Sequence, residues 1–366
     1  MIVLWVVLTP IVLGLLALGI WFLKAIVQGA VEGWRSELPY ELPDGAAALG
    51  LLPPERQNTE LAAPDPAALT AALTAAAAGD WKPAAALVEE TGRNWDLRSF
   101  VCSRLAESAA EDDTWLLVWE TARPGDPDAA TVRARSTVFL AWRIRGGKRA
   151  QYTTGEQFAG FRRTLASSRE ETARAAALAP EDPTPYVGAI WTALGLGHPH
   201  AEMDRIWTEV TSRAPHHYEA HYAALQYWCA KWRGSEQLAR DFAARSAAGA
   251  PPGTLLKVFP LIAHYEHDDS EDTSVDITPE MHALVDAALA DAAAADPGHP
   301  RLPEVRHLLA YYLTLQDRHE AALEQYRLVD GHVGALPWRY RTDAAEFYCG
   351  QRDATVAGAV EAAKRR

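Results

Sequence analysis

The chain has 366 residues, is 49% hydrophobic and 23% charged, and carries a formal net charge of −13. That length accommodates a large buried core, and the composition excludes a disordered chain, a collagen-like repeat and a disulfide scaffold. Three widely spaced cysteines (Cys102, Cys229, Cys349) form no CxxC pair for zinc or redox chemistry, and an acidic chain is a poor general binder of nucleic acid.

Residues 2–23 contain no charge: IVLWVVLTPIVLGLLALGIWFL. As a helix they would extend about 33 Å, enough for a hydrocarbon core of about 30 Å. Trp5 and Trp21 lie near the two ends, where interfacial anchors belong. No basic segment precedes this run and no small-residue cleavage site follows it, which sets it apart from a signal peptide. The expectation is a transmembrane anchor over residues 1–24. Lys24 and Arg35 follow the span, so the positive-inside rule places the bulk of a single-pass membrane protein in the cytoplasm. Residues 25–65 then read as a juxtamembrane segment and a proline-rich linker. Pro39, Pro43, Pro53, Pro54 and Pro64 deny it a long helix, and its Leu38, Tyr40 and Leu42 either hang free or pack along the domain.

From residue 66 to the end the pattern predicts helices only. Alanine-rich stretches carry apolar residues at spacings of three and four, as in Tyr218, His221, Tyr222, Leu225 and Trp228. Thr278 and Pro279 fit a helix N-cap and first turn. Helix ends are marked by prolines at Pro180, Pro215, Pro251 and Pro297, spaced 35, 36 and 46 residues apart. An acidic insertion around Asp268 to Asp276 accounts for the last interval; it lacks the glycine and spacing of a calcium loop and reads as a solvated loop between two hairpins. A period near 35 with two helices per period predicts stacked helical hairpins.

These residues resemble tetratricopeptide repeats. Ala310, Ala322 and Tyr326 match the small, small and aromatic positions of that repeat, Trp191, Met203 and Trp207 match them less closely, and Ala84 follows a matching Gly79-Asp80-Trp81 turn. The resemblance spans roughly residues 66–364 and implies an all-α fold: an N-terminal transmembrane helix followed by a tetratricopeptide-like α-solenoid over residues 66–366. The turn of Lys231, Trp232, Gly234 and Ser235 also resembles a Lys-Trp-x-Gly-Ser turn of an uncharacterised bacterial helical-repeat family, which implies no activity. Physically, Gly234 stops one helix and Ser235 caps the next.

Chemical motifs are sparse. His217 and His221 share a helix face, but Glu219 sits at the wrong place for a zinc hydrolase. His264 and His267 with Asp268 and Asp269 suggest at most an incidental cation site. Gly146-Gly147-Lys148 lacks the P-loop frame. No cofactor is expected, and enzymatic status has no positive support. One local feature opposes the overall charge. Arg133, Arg135, Arg143, Arg145, Lys148, Arg149, Arg162 and Arg163 face a single acid, Glu156, for a local charge of 8 − 1 = +7. They predict either an anion-binding surface, for lipid headgroups or an acidic partner segment, or solvated arginines whose stems cover apolar surface. The expected function is a membrane-anchored scaffold or adaptor whose repeat domain binds protein partners. The alternatives are a helical enzyme or enzyme accessory subunit with an inter-helix pocket, and an extracytoplasmic solenoid. An open groove lined by arginine and tryptophan would favour the binder; convergent, perturbed titratable groups would favour the enzyme.

Overall fold

The computed structural model describes residues 40–146, 153–268 and 272–365. The chain divides into two compact units, residues 1–56 and 57–366. The described part of the first holds a short helix, α1 (Asp44–Ala48), and a 3-10 turn, Pro54–Arg56.

The described residues of the second unit form fifteen helices and no strand. In chain order these are α2 (Ala67–Ala77), α3 (Lys82–Glu90), α4 (Trp95–Ala109), α5 (Thr114–Ala122), α6 (Pro127–Arg145), α7 (Gly155–Leu178), α8 (Thr184–Leu196) and α9 (His200–Thr211). They continue with α10 (Tyr218–Trp228), α11 (Glu236–Ala248), α12 (Phe259–Tyr265), α13 (Pro279–Ala294), α14 (Leu302–Leu315), α15 (His319–Val329) and α16 (Ala344–Lys364). Local chemistry sets the boundaries. Asp126 accepts from Asp128 N and Ala129 N ahead of α6, Thr154 and Gln157 form a reciprocal capping box at α7, and Thr278 caps α13. Helices α7, α9, α11 and α13 end two to four residues before Pro180, Pro215, Pro251 and Pro297, where the ring cannot continue the ladder.

Within this unit most helices adjacent in sequence pack together, and helices two apart also touch: α4 with α6, α6 with α8, α8 with α10, and α14 with α16. That pattern is consistent with helical hairpins stacked in series. One core joins α2 to α6 through Leu69, Val88, Leu105, Leu116 and Trp119, with Trp81 stacked on Trp119 at 5.8 Å between centroids. Residues 57–66 tie the start of this unit to its end. Asn58 N donates to Gly331 O at 2.8 Å, Val333 N donates to Asn58 O at 2.7 Å, and Gly334 N donates to Leu61 O at 2.9 Å. The approach is so close that a Cβ on Gly334 would lie 2.4 Å from the Glu60 carbonyl carbon.

The all-α character stands, but the transmembrane helix in the expected fold class does not. Among the described residues no helix is long and apolar enough to cross a membrane, and residues 2–23 lie outside the described residues. The longest helix described, α7 with 24 residues, carries four arginines and three glutamates. Each arginine at mid-membrane would cost about 2.5–3.5 kcal/mol, which rules α7 out as a span. The single-pass localisation with a cytoplasmic bulk is corrected on the same finding. A second correction concerns the acidic insertion. Asp276 is not solvated: it is buried, accepts from His264 Nε2 at 2.9 Å, and its carbonyl accepts from Gln316 at 3.0 Å. Residues 269–271 lie outside the described residues.

Candidate functional site

On α6, Val138, Phe139 and Trp142 lie three, four and seven residues after Arg135, which places all four on one face. That face forms the wall of a groove. Trp191 of α8, Tyr222 and Gln226 of α10, Lys231 and Trp232 of the following turn, and Tyr340 complete a cavity of about 440 Å³. The Trp142 ring meets Trp191 edge-on at 6.5 Å and Trp232 at 5.6 Å, and Trp191 lies 6.3 Å from Tyr222. Trp232 reaches this position because the turn doubles back tightly. A Cβ on Gly234 would lie 1.7 Å from the Trp228 carbonyl oxygen, so only glycine fits, and the Ser235 side chain accepts from Leu238 N to start α11.

Cations stack on these rings. The Arg145 guanidinium sits 5.6 Å from the Trp142 centroid and 5.8 Å from that of Trp232. Lys231 Nζ lies 5.3 Å from the Tyr340 ring and 2.6 Å from Glu266. Arg339 lies 5.7 Å from both Tyr222 and Tyr340 and donates to the Tyr222 hydroxyl. Such contacts hold a guanidinium flat against the ring while leaving its edge for other acceptors.

Arg135 and Phe139 also line a second, more polar cavity of about 910 Å³ between α4, the start of α14 and residues 58–66. Behind their shared wall lies a buried ion cluster that joins four helices. Glu219 of α10 accepts from Arg135 of α6, from Arg301 at the start of α14 at 3.1 Å, and from Ser99 of α4 at 2.8 Å. Burial pushes the Glu219 carboxyl up, but Arg135 and Arg301 outweigh it and hold it at about 2. Burial pulls the Arg135 guanidinium below its usual value; Glu219 offsets part of this, and Arg301 adds to it. Only Nη2 of Arg135 meets Glu219. Its Nε and Nη1, and the Nε1 atoms of Trp142 and Trp191, are buried without an acceptor among the described residues.

Of the eight basic residues singled out in the sequence, the structure describes six and disperses them. Arg133 turns away from the groove and pairs with Asp113 at 2.7 Å and Glu120 at 2.9 Å. Arg143 lies half-exposed near Glu111 at 3.3 Å, and Arg162 and Arg163 are exposed on α7. Lys148 and Arg149 lie outside the described residues. Arg135 and Arg145 alone among the described six meet the aromatic groove. Sequence reasoning missed Trp142, Trp191, Tyr222 and Tyr340 as its walls, although the Arg135-to-Trp142 stripe was present as a helical spacing.

The histidines serve mainly as structure. His217 Nδ1 accepts from Ala220 N to cap α10, and burial pushes the neighbouring His221 down to about 4 where it packs on Trp207 and Phe242. His264, Asp268 and Asp276 could hold a cation, since their ligand atoms lie within 4.8 Å of one another. His264 Nε2 already has a partner there in Asp276. No family model matches this chain, and comparison with curated proteins and with solved structures returned no match.

Proposed function

We propose that this chain is a tetratricopeptide-like scaffold that holds a protein partner by a peptide segment laid in the aromatic groove. The repeat reading is supported by Ala310, Ala322 and Tyr326, all buried between α14 and α15, and by Ala84 in the core of the first hairpins. The observation that carries the binding reading is the groove itself: six aromatic side chains and two cations around about 440 Å³. Aromatic and arginine side chains in a concavity are what peptide recognition draws on. Titration argues against acid–base chemistry at this place. Glu219 is held ionised far below neutrality and burial pushes the Tyr222 hydroxyl up, so neither exchanges a proton near neutral pH.

The test is selection of a random peptide library on the full chain, repeated with Trp232→Ala and Tyr340→Ala. Both residues lie at the rim, and Tyr340 is 50% exposed, so the fold should survive their loss. Enriched peptides should lose binding to both variants. Peptides that bind the variants as well as the native chain would overturn the reading.

A further inference from the structure

The buried donors and the charge of the groove's lining residues bear on its occupant. Four buried polar atoms in its lining residues lack partners among the described residues: Arg135 Nε and Nη1, Trp142 Nε1 and Trp191 Nε1. All four are donors. A buried donor without an acceptor is unfavourable, so a ligand rich in acceptor oxygens suits these residues better than a donor-rich one. Arg135 is the strongest of them, since its side chain is only 9% exposed and its charge is shared with a single carboxylate, Glu219.

Charge points the same way. Arg135, Arg145, Lys231 and Arg339 lie in the walls or on their rings, against Glu219 and Glu266, which leaves 4 − 2 = +2. Adding the neighbouring Arg301 and Glu304 leaves the balance unchanged. This positive site sits in a chain of −13. Aromatic walls alone would also suit a quaternary ammonium, but Arg145, Lys231 and Arg339 already cover the ring faces and would repel one. Size then separates a peptide from a simple anion. The cavity of about 440 Å³ is far larger than a simple anion and has room for a bulky side chain with the peptide backbone that carries it.

We infer that the occupant is an acidic peptide segment, with an aromatic or leucine side chain in the tryptophan-lined compartment and flanking carboxylates at Arg135, Lys231 and Arg339. This rests on the peptide-binding reading above and adds the sign of the partner's charge.

The experiment uses the full chain and three fluorescent decapeptides that share alternating tryptophan and leucine. The intervening positions are aspartate in one, asparagine in the second and lysine in the third; N-acetyltryptophan serves as a small-carboxylate arm. The aspartate peptide should bind at least about tenfold tighter than the asparagine peptide, and the lysine peptide weakest. Raising salt from about 50 to about 500 mM should erase most of that advantage. Arg135→Met should reduce it, and because that change also removes a partner of Glu219, Lys231→Gln with Arg145→Gln provides a rim variant that should also narrow it. Equal binding of all three peptides, lost with Trp232→Ala, would overturn the charge inference while leaving the peptide groove standing. Binding of N-acetyltryptophan as tight as that of the aspartate peptide would replace the peptide by a small carboxylate. Failure of all three to bind, together with failed library selection, would overturn both.

Discussion

Replacing Glu219 by glutamine removes one negative charge from the centre of the ion cluster. The side chain is 7% exposed and carries the charge of Arg135 and Arg301 together with the Ser99 hydroxyl bond. Its carboxyl is held at about 2 against an ordinary 4.5. At about 1.4 kcal/mol per pH unit that difference corresponds to about 3–4 kcal/mol of stability at neutral pH. Removing one partner of a buried pair costs a similar amount, about 3–5 kcal/mol, because the other charge is left uncompensated. A depressed carboxylate contributes fully above its ordinary value and loses that contribution as pH falls from about 4.5 to about 2. Urea unfolding followed by far-ultraviolet circular dichroism should show the Glu219→Gln midpoint well below the native one at neutral pH. The two should converge in acid. Glu181→Gln is the control: its partner Arg93 is 73% exposed and their pair is worth under about 1 kcal/mol. A Glu219→Gln loss no larger than the control's, or a gap that persists unchanged into acid, would refute the cluster's role.

Three further outcomes are expected. His307 Nε2–H donates to Ala62 O at 3.1 Å while Nδ1 accepts from the Trp338 indole at 3.0 Å, so only the neutral ring satisfies both, and burial pushes it down to about 4. Stability that this ring provides is present above about 6.5 and is lost as pH falls toward 4; the urea midpoint should drop between pH about 7 and about 5, by about 2 kcal/mol, and less in His307→Gln. Gly334→Ala should cost about 1–3 kcal/mol by forcing residues 57–66 off the 331–334 segment, read as faster proteolytic cleavage at Glu60; unchanged cleavage would count against that packing. Cys102, Cys229 and Cys349 are buried, and burial pushes each thiol up to about 12, so iodoacetamide should modify none in the native chain and all three in urea.

Much of the fold was legible in the sequence because its punctuation is local. A proline two to four residues past a helix, a Ser235 or Thr278 cap, and alanines at three and four spacing act within a single turn of chain. The site was less legible for two reasons. Counting charge along residues 133–163 treated Arg133 and Arg135 as one patch, yet two residues on a helix are about 200° apart, and the two side chains leave α6 on opposite sides. The partners that define Arg135 are also remote, with Glu219 84 positions away, and no local pattern announces such a pair. Trp191 and Trp232 belong to different hairpins, so their meeting with Trp142 depends on how the hairpins stack. The apolar run of residues 2–23 gave an expectation of a membrane span that the described helices do not include.

Hydrogen–deuterium exchange of the full chain, with and without the tightest library-selected peptide, tests the central claim most directly. Slowed exchange is predicted at the end of α6, in α8 and α10, in the 231–235 turn and at 338–341, which together surround the groove. Protection confined instead to the cavity of about 530 Å³ between α7, α8 and α9, lined by Arg169, Tyr186 and Arg213, would contradict it.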